Sequence, residues 1–132
     1  MINSLLTLLL HHRRWVLALA LAWMTLIFIL SAQSSIRIPD LFFQQDKALH
    51  SLLFGTLGFF WALLVMSDGS RPTLWHVLIV SLLVMGYGGL DEFHQSFVPG
   101  RTPDILDLAA DTSGGLVSAL LVMVLLRRYA RR

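Results

Sequence analysis

The chain has 132 residues, of which 56% are hydrophobic and only 14% charged, and its mean hydropathy of +0.71 excludes an ordinary soluble domain and points to a membrane protein. Cysteine is absent, which excludes disulfides, thiolate metal sites and cysteine nucleophiles. The formal charge of +2 and the pI near 9.7 do not indicate nucleic acid as a partner, because the basic residues gather at the ends of apolar segments, where they act as topology signals.

A bilayer core about 30 Å thick takes roughly 17 to 25 apolar helical residues per crossing. Four segments qualify: 15–30, 48–66, 74–90 and 105–126. With short connections between them, residues 1–132 form one domain, and the expected fold is all-α, a compact bundle of four transmembrane helices. The first ten residues are mostly apolar but stop at His11, His12, Arg13 and Arg14, too soon to span. They are expected to lie in the interface or to extend the first helix. Trp15 then falls at headgroup level. The basic stretch, the apolar run and Leu30-Ser31-Ala32 also match a signal peptide cut after Ala32, which would leave three spans and an outer N-terminus.

Residues 31–47 form the longest connection, with an apolar Leu41-Phe42-Phe43 patch suited to the interface. The second span opens on Asp46, Lys47 and His50. Asp46 and His50 are four apart and share a helical face. Taken singly, Lys47 reads as a cation snorkelling to headgroups and His50 as an imidazole satisfied by a carbonyl. As a trio they read as part of a site. Asp68-Gly69-Ser70 and Arg71-Pro72 are turn chemistry between the second and third spans. Ser51 with Gly55, Gly58 with Ala62, and Ala110 with Gly114 and Ser118 place small residues at helical spacing, where backbones can approach closely. Gly86, Gly88 and Gly89 fit either a close crossing or a loosened helix beside a cavity.

If the spans alternate, Arg13, Arg14, Arg71, Arg127, Arg128, Arg131 and Arg132 fall on one side and Arg37, Lys47 and Arg101 on the other. The positive-inside rule then puts both termini in the cytoplasm. Seven of the eight acidic residues share the outer face, with only Asp68 opposite. His11, His12 and His76 sit at the cytoplasmic end and read as structural.

Residues 91–111, DEFHQSFVPGRTPDILDLAAD, carry five carboxylates, a histidine and an arginine between two spans. Charge at such a depth marks a functional site by default. Asp104, Asp107 and Asp111 recur at spacings of three and four and stack down one face of the fourth helix. Asp104 suits an N-cap, which Asp111 is too deep to be. Two carboxylates one turn apart in a low dielectric must share a proton, pair with a cation such as Lys47 or Arg101, or bind a metal. Asp91 with His94, or Asp91 with Gln95, can share a face if the third helix runs on past Leu90. A carboxylate orienting His94 would support acid and base chemistry, with Glu92 adjacent. Arg101 suits a phosphate or carboxylate ligand, or an internal ion pair with Asp107. His50, His94 and the carboxylates could also hold a divalent metal, although the spacing matches no strict ligand motif.

Asp46-Lys47 with His50, the run DEFHQSFVPGR at 91–101, then Asp107, Asp111 and Gly115 resemble the VanZ-like family of small bacterial membrane proteins, from about Ser31 to the end of the fourth span. The family often has Asn where this chain has Asp111, so a charge at that position is a departure. The resemblance implies a multi-pass protein of the bacterial cytoplasmic membrane, and it fits the extracytoplasmic polar site expected from the charge bias. It also implies a link to glycopeptide resistance of the teicoplanin type. It brings no settled reaction, and the Lys, Arg and His motifs of the common membrane lipid phosphatases are absent.

The leading expectation is a site that binds or modifies an anionic envelope lipid or lipid-linked precursor. Lys47, His50, Gln95 and Arg101 would bind it, and Asp91, Glu92, His94, Asp107 and Asp111 are the candidates for chemistry. One alternative is a proton- or cation-coupled carrier or flippase, which four short spans would support only as a homodimer. The other is a non-catalytic interaction protein in which the polar mouth clamps the helices.

Overall fold

The computed structural model describes residues 12–34, 43–67 and 71–129. The expectations for the first ten residues, His11, Arg37, Leu41 and Phe42, Asp68-Gly69-Ser70, Arg131 and Arg132 lie outside the described residues. Four helices carry the fold: α1, Arg13–Ser31; α2, Gln45–Val65; α3, Leu74–Gln95; and α4, Ile105–Tyr129. No strand occurs among the described residues. All four are long and apolar enough to cross a membrane. At 1.5 Å per residue they are roughly 28 to 37 Å long, the thickness of a bilayer core.

The helices begin and end where local chemistry allows. Pro72 and Thr73 open α3, and Thr73 forms a reciprocal cap with His76: the Thr73 backbone N–H donates to His76 Nδ1 at 3.1 Å. That gives His76 the structural role expected of it. The main difference from the sequence spans is at the end of α3, which runs five residues past Leu90 to Gln95 and so carries Asp91, Glu92 and His94 on helix. A run of charges does not stop a helix whose backbone bonds are internal and whose polar side chains find partners at the bundle end. The turn that follows reverses at Gly100, whose φ of +81° is left-handed and suits glycine alone.

α2 and α4 form the tightest pair. Their contact is a seam of small residues: a Cβ on Gly58 would lie 2.7 Å from Gly115 Cα, and one on Gly114 would collide with the Ser51 carbonyl. Gly86 and Gly89 face open space, while Gly88 packs against Asp111 and Leu108, so the three glycines of α3 neither share a role nor break the helix. α1 is tied on from outside by side chains that donate to free lone pairs of helix carbonyls. Trp23 Nε1 donates to Leu53 O at 2.9 Å, and Tyr87 OH donates to Met24 O at 2.6 Å. The apolar core around Phe54, Leu57, Leu63, Val80, Val84 and Val122 fills the middle of the bundle. Outward, Trp15, Leu52, Leu90, Val117 and Leu121 present a broad apolar exterior of the kind lipid covers.

One end of the bundle is basic. Arg13 Nη2 donates to Leu64 O at 3.0 Å and Arg127 Nε to Pro72 O at 2.7 Å, which brings the start of α1, the end of α2, the start of α3 and the end of α4 together. The helices therefore alternate, and the polar residues of α2, α3 and α4 meet at the other end.

Candidate functional site

Lys47, in the first turn of α2, reaches across to α4. Its ammonium donates to Asp104 Oδ2 at 2.5 Å and Asp107 Oδ1 at 2.6 Å, and lies 3.1 Å from Asp46 Oδ2. Asp46 itself points outward with a side chain 62% exposed. Asp104 has three tasks. Its Oδ1 accepts the Leu106 N–H at 2.8 Å, capping α4; its Oδ2 takes the Lys47 ammonium; and its backbone N–H donates to Glu92 Oε2 at 2.6 Å. The Lys47 ammonium, seconded by the Leu106 N–H, holds the Asp104 carboxyl below the usual carboxylate range.

One turn deeper, His50 Nδ1 lies 3.0 Å from Oδ1 of Asp111, which is 0% exposed, while His50 Nε2 lies 3.8 Å from Asp107 Oδ2. Gly88 makes the room: a Cβ there would sit 3.0 Å from Asp111 Oδ2. An imidazole held by a buried carboxylate through one nitrogen has its ring orientation fixed and presents the other nitrogen for proton transfer or ligation. On α3, Gln95 Nε2 donates to Asp91 Oδ2 at 2.8 Å, both residues being buried.

Among the residues expected at the site, Lys47, His50, Glu92, Asp107 and Asp111 come together in one cluster. Asp91 and Arg101 line an adjoining cavity with His50. Of the alternatives that spacing left open, Asp91 with Gln95 forms and Asp91 with His94 does not, and Arg101 does not pair with Asp107. Asp91 pairs with Gln95, while His94 turns toward α1 and stacks on Phe28 at 4.3 Å between ring centroids. Both spacings share a face with Asp91, but His94 lies about 100° from Gln95 around the helix, and with Gln95 turned to Asp91 the imidazole faces α1. Asp107 is held by Lys47, and Arg101 makes no ion pair among the described residues. Arg101 instead lines the cavity, with a buried Nε that has no partner among the described residues. Glu92 Oε1, His94 Nε2 and Asp111 Oδ2 are also buried without a partner.

The cavity is about 490 Å³ and lies between α1 and α2. Ile27, Leu30, Leu49, Leu53 and Phe54 are among its apolar lining residues, and Gln45, Asp46, His50, Asp91 and Arg101 among its polar ones. Sequence reading missed Gln44 and Gln45, which border it. The signal for them was a pair of amides at the polar start of an apolar helix. It also missed Glu92 as the group that receives the α4 N-terminus, because a contact between residues twelve apart depends on how the Pro99-Gly100 turn folds back. For a divalent ion, the set narrows from His50, His94 and the carboxylates to His50, Glu92 and Asp107, each with one donor atom within 4.8 Å of the others.

Searches of curated proteins and of solved structures return no match to the chain. A family profile described as VanZ/LLP1 matches residues 15–127, a stretch that takes in the polar end of α2, the 91–111 run and the small-residue seam. By that match, and in keeping with its four apolar helices, this multi-pass membrane protein belongs to the VanZ/LLP1 family.

Proposed function

We propose that the protein binds an anionic envelope lipid or lipid-linked precursor at the outer side of the bacterial cytoplasmic membrane, with both its own termini in the cytoplasm. The observation that carries this is the cavity between α1 and α2, whose lining is largely apolar and includes Arg101. An acyl or prenyl chain suits the walls of Leu and Phe. A phosphate suits a guanidinium with a buried, unpartnered Nε, which presents its donors in a fixed fork. The His50 and Asp111 pair beside it is positioned to move a proton if the bound headgroup is also modified. The charge bias of the chain supports the outward orientation, since most of its arginines lie at the opposite end of the bundle. An outward lipid site agrees with the family's association with glycopeptide resistance, because such antibiotics act on that face.

Native mass spectrometry of the purified chain in nanodiscs tests the reading. With phosphatidylcholine as the bulk lipid and phosphatidylglycerol as the minor one, the wild type should retain phosphatidylglycerol, and Arg101→Gln should lose about 10- to 100-fold of that preference. Equal retention of both lipids by the wild type would refute an anionic site. A lipid species altered in cells by the wild type, and left unaltered by His50→Ala, would extend binding to modification.

A further inference from the structure

We infer that His50, Glu92 and Asp107 form a binding site for one first-row divalent cation, of the manganese-to-zinc class, at the junction of α2, α3 and α4. The three residues come from three helices, and one donor atom of each lies within 4.8 Å of the other two. Each is held by one atom and leaves another free. His50 is fixed through Nδ1 by Asp111 Oδ1 and leaves Nε2. Glu92 is fixed through Oε2 by the Asp104 N–H and leaves Oε1. Asp107 is fixed through Oδ1 by Lys47 and leaves Oδ2, 3.8 Å from His50 Nε2.

Glu92 is the observation that points to a ligand. It is 93% buried and its Oε1 has no hydrogen-bond partner, which for a carboxylate oxygen is costly unless a cation or proton meets it. The charge around it leans the same way. Five carboxylates, Asp46, Glu92, Asp104, Asp107 and Asp111, cluster here with one ammonium, that of Lys47, and one imidazole, that of His50. The ammonium is already shared among Asp46, Asp104 and Asp107.

The donor set selects the class of ion. One imidazole with two carboxylates suits Mn²⁺, Fe²⁺, Co²⁺ or Zn²⁺, whereas Mg²⁺ and Ca²⁺ prefer oxygen alone. A carboxylate behind the ligating imidazole, here Asp111, is the usual outer partner of such a site. With three protein ligands, a tetrahedral or larger shell keeps at least one position open, and that position is available to water or to an oxyanion. This site does not depend on the lipid reading: it needs no bound lipid, and its test can be run without one.

The full chain in detergent, freed of metal by chelator and of lipid by exchange, is titrated separately with Zn²⁺ and Mn²⁺ and the bound metal counted. About one equivalent of at least one ion should bind per chain and raise the melting temperature. Glu92→Gln and His50→Gln should each abolish that equivalent, Asp111→Ala should weaken it by about 10- to 100-fold, and His94→Ala should leave it unchanged. X-ray absorption of the loaded wild type, which needs no variant, should give a single imidazole among oxygen ligands. Failure of both ions to bind folded wild type, retention of the equivalent in Glu92→Gln, its loss in His94→Ala, or a shell of two or more imidazoles would each overturn the site. Neither loss nor retention of phosphatidylglycerol preference bears on these counts.

Discussion

Lys47 is the residue on which the polar end depends. Its ammonium is the only cation within hydrogen-bond reach of Asp104 and Asp107 among the described residues, and it joins the start of α2 to the start of α4. Lys47→Met keeps the apolar stem and strands the buried Asp107 carboxylate. The variant should lose about 1–3 kcal/mol of stability, read as a lower melting temperature in detergent, whereas unchanged melting would remove the clamp. Asp104 allows a pH test. Its carboxyl is held below the usual range, so the stability it adds is complete above that range and is lost as pH falls through the lowered value. Asp104→Asn keeps an acceptor for the Leu106 N–H and removes the charge. The wild type should melt higher than this variant at neutral pH, and the gap should close in acid below the usual carboxylate range. The sequence made Asp104, Asp107 and Asp111 legible as one stripe on a helix, because that follows from spacing alone. It did not say that Lys47 would take the first two and His50 the third. Those pairings depend on how α2 is rotated against α4, which local periodicity does not contain.

At the level of helices, that rotation is set by the small-residue seam. Gly58 and Gly114 meet backbone at distances no Cβ tolerates, while Gly86 and Gly89 meet nothing. Gly58→Ala and Gly114→Ala should therefore destabilise by about 1–3 kcal/mol and disturb the Lys47 and His50 contacts together. Gly86→Ala and Gly89→Ala should be neutral or slightly stabilising, since a helix interior favours Ala over Gly. Detergent melts of the four variants decide it, and equal effects at all four positions would refute a seam confined to α2 and α4. The seam was partly legible: Ser51 with Gly55 and Ala110 with Gly114 stand at the right spacing. The extension of α3 to Gln95 was less so, since hydropathy falls at Asp91 although the helix does not end there. The five residues past Leu90 carry every polar α3 residue of the site.

For the whole molecule, alternation of the helices puts the basic end and the polar end on opposite faces. The native chain contains no cysteine, so single substitutions report without background. Thr102→Cys, in the exposed turn before α4, should label with an impermeant maleimide in intact spheroplasts, and Arg71→Cys only after lysis. The reverse pattern would turn the site toward the cytoplasm. The number of spans and their alternation were plain from composition because a bilayer dictates length. The cavity was not, because its two sides come from helices linked by residues 32–44. α1 supplies one of those sides, so cleavage after Ala32 would open it.

The backbone contact between α2 and α4 also bears on how the protein meets membranes of different thickness. A bundle whose hydrophobic length mismatches its bilayer adapts by tilting helices or sliding them past one another. Gly58 against Gly115 and Gly114 against Ser51 leave no clearance for sliding, so α2 and α4 can respond only by tilting as one body. The register of Lys47 and His50 with Asp104, Asp107 and Asp111 should therefore hold across bilayers of different thickness. α1, held by side-chain hydrogen bonds and by the buried Val16, Ala20 and Ile27, packs less extensively on α2 than α4 does. A change of thickness is thus expected to alter the packing of α1 beside the cavity before it alters the spacing of the charged groups.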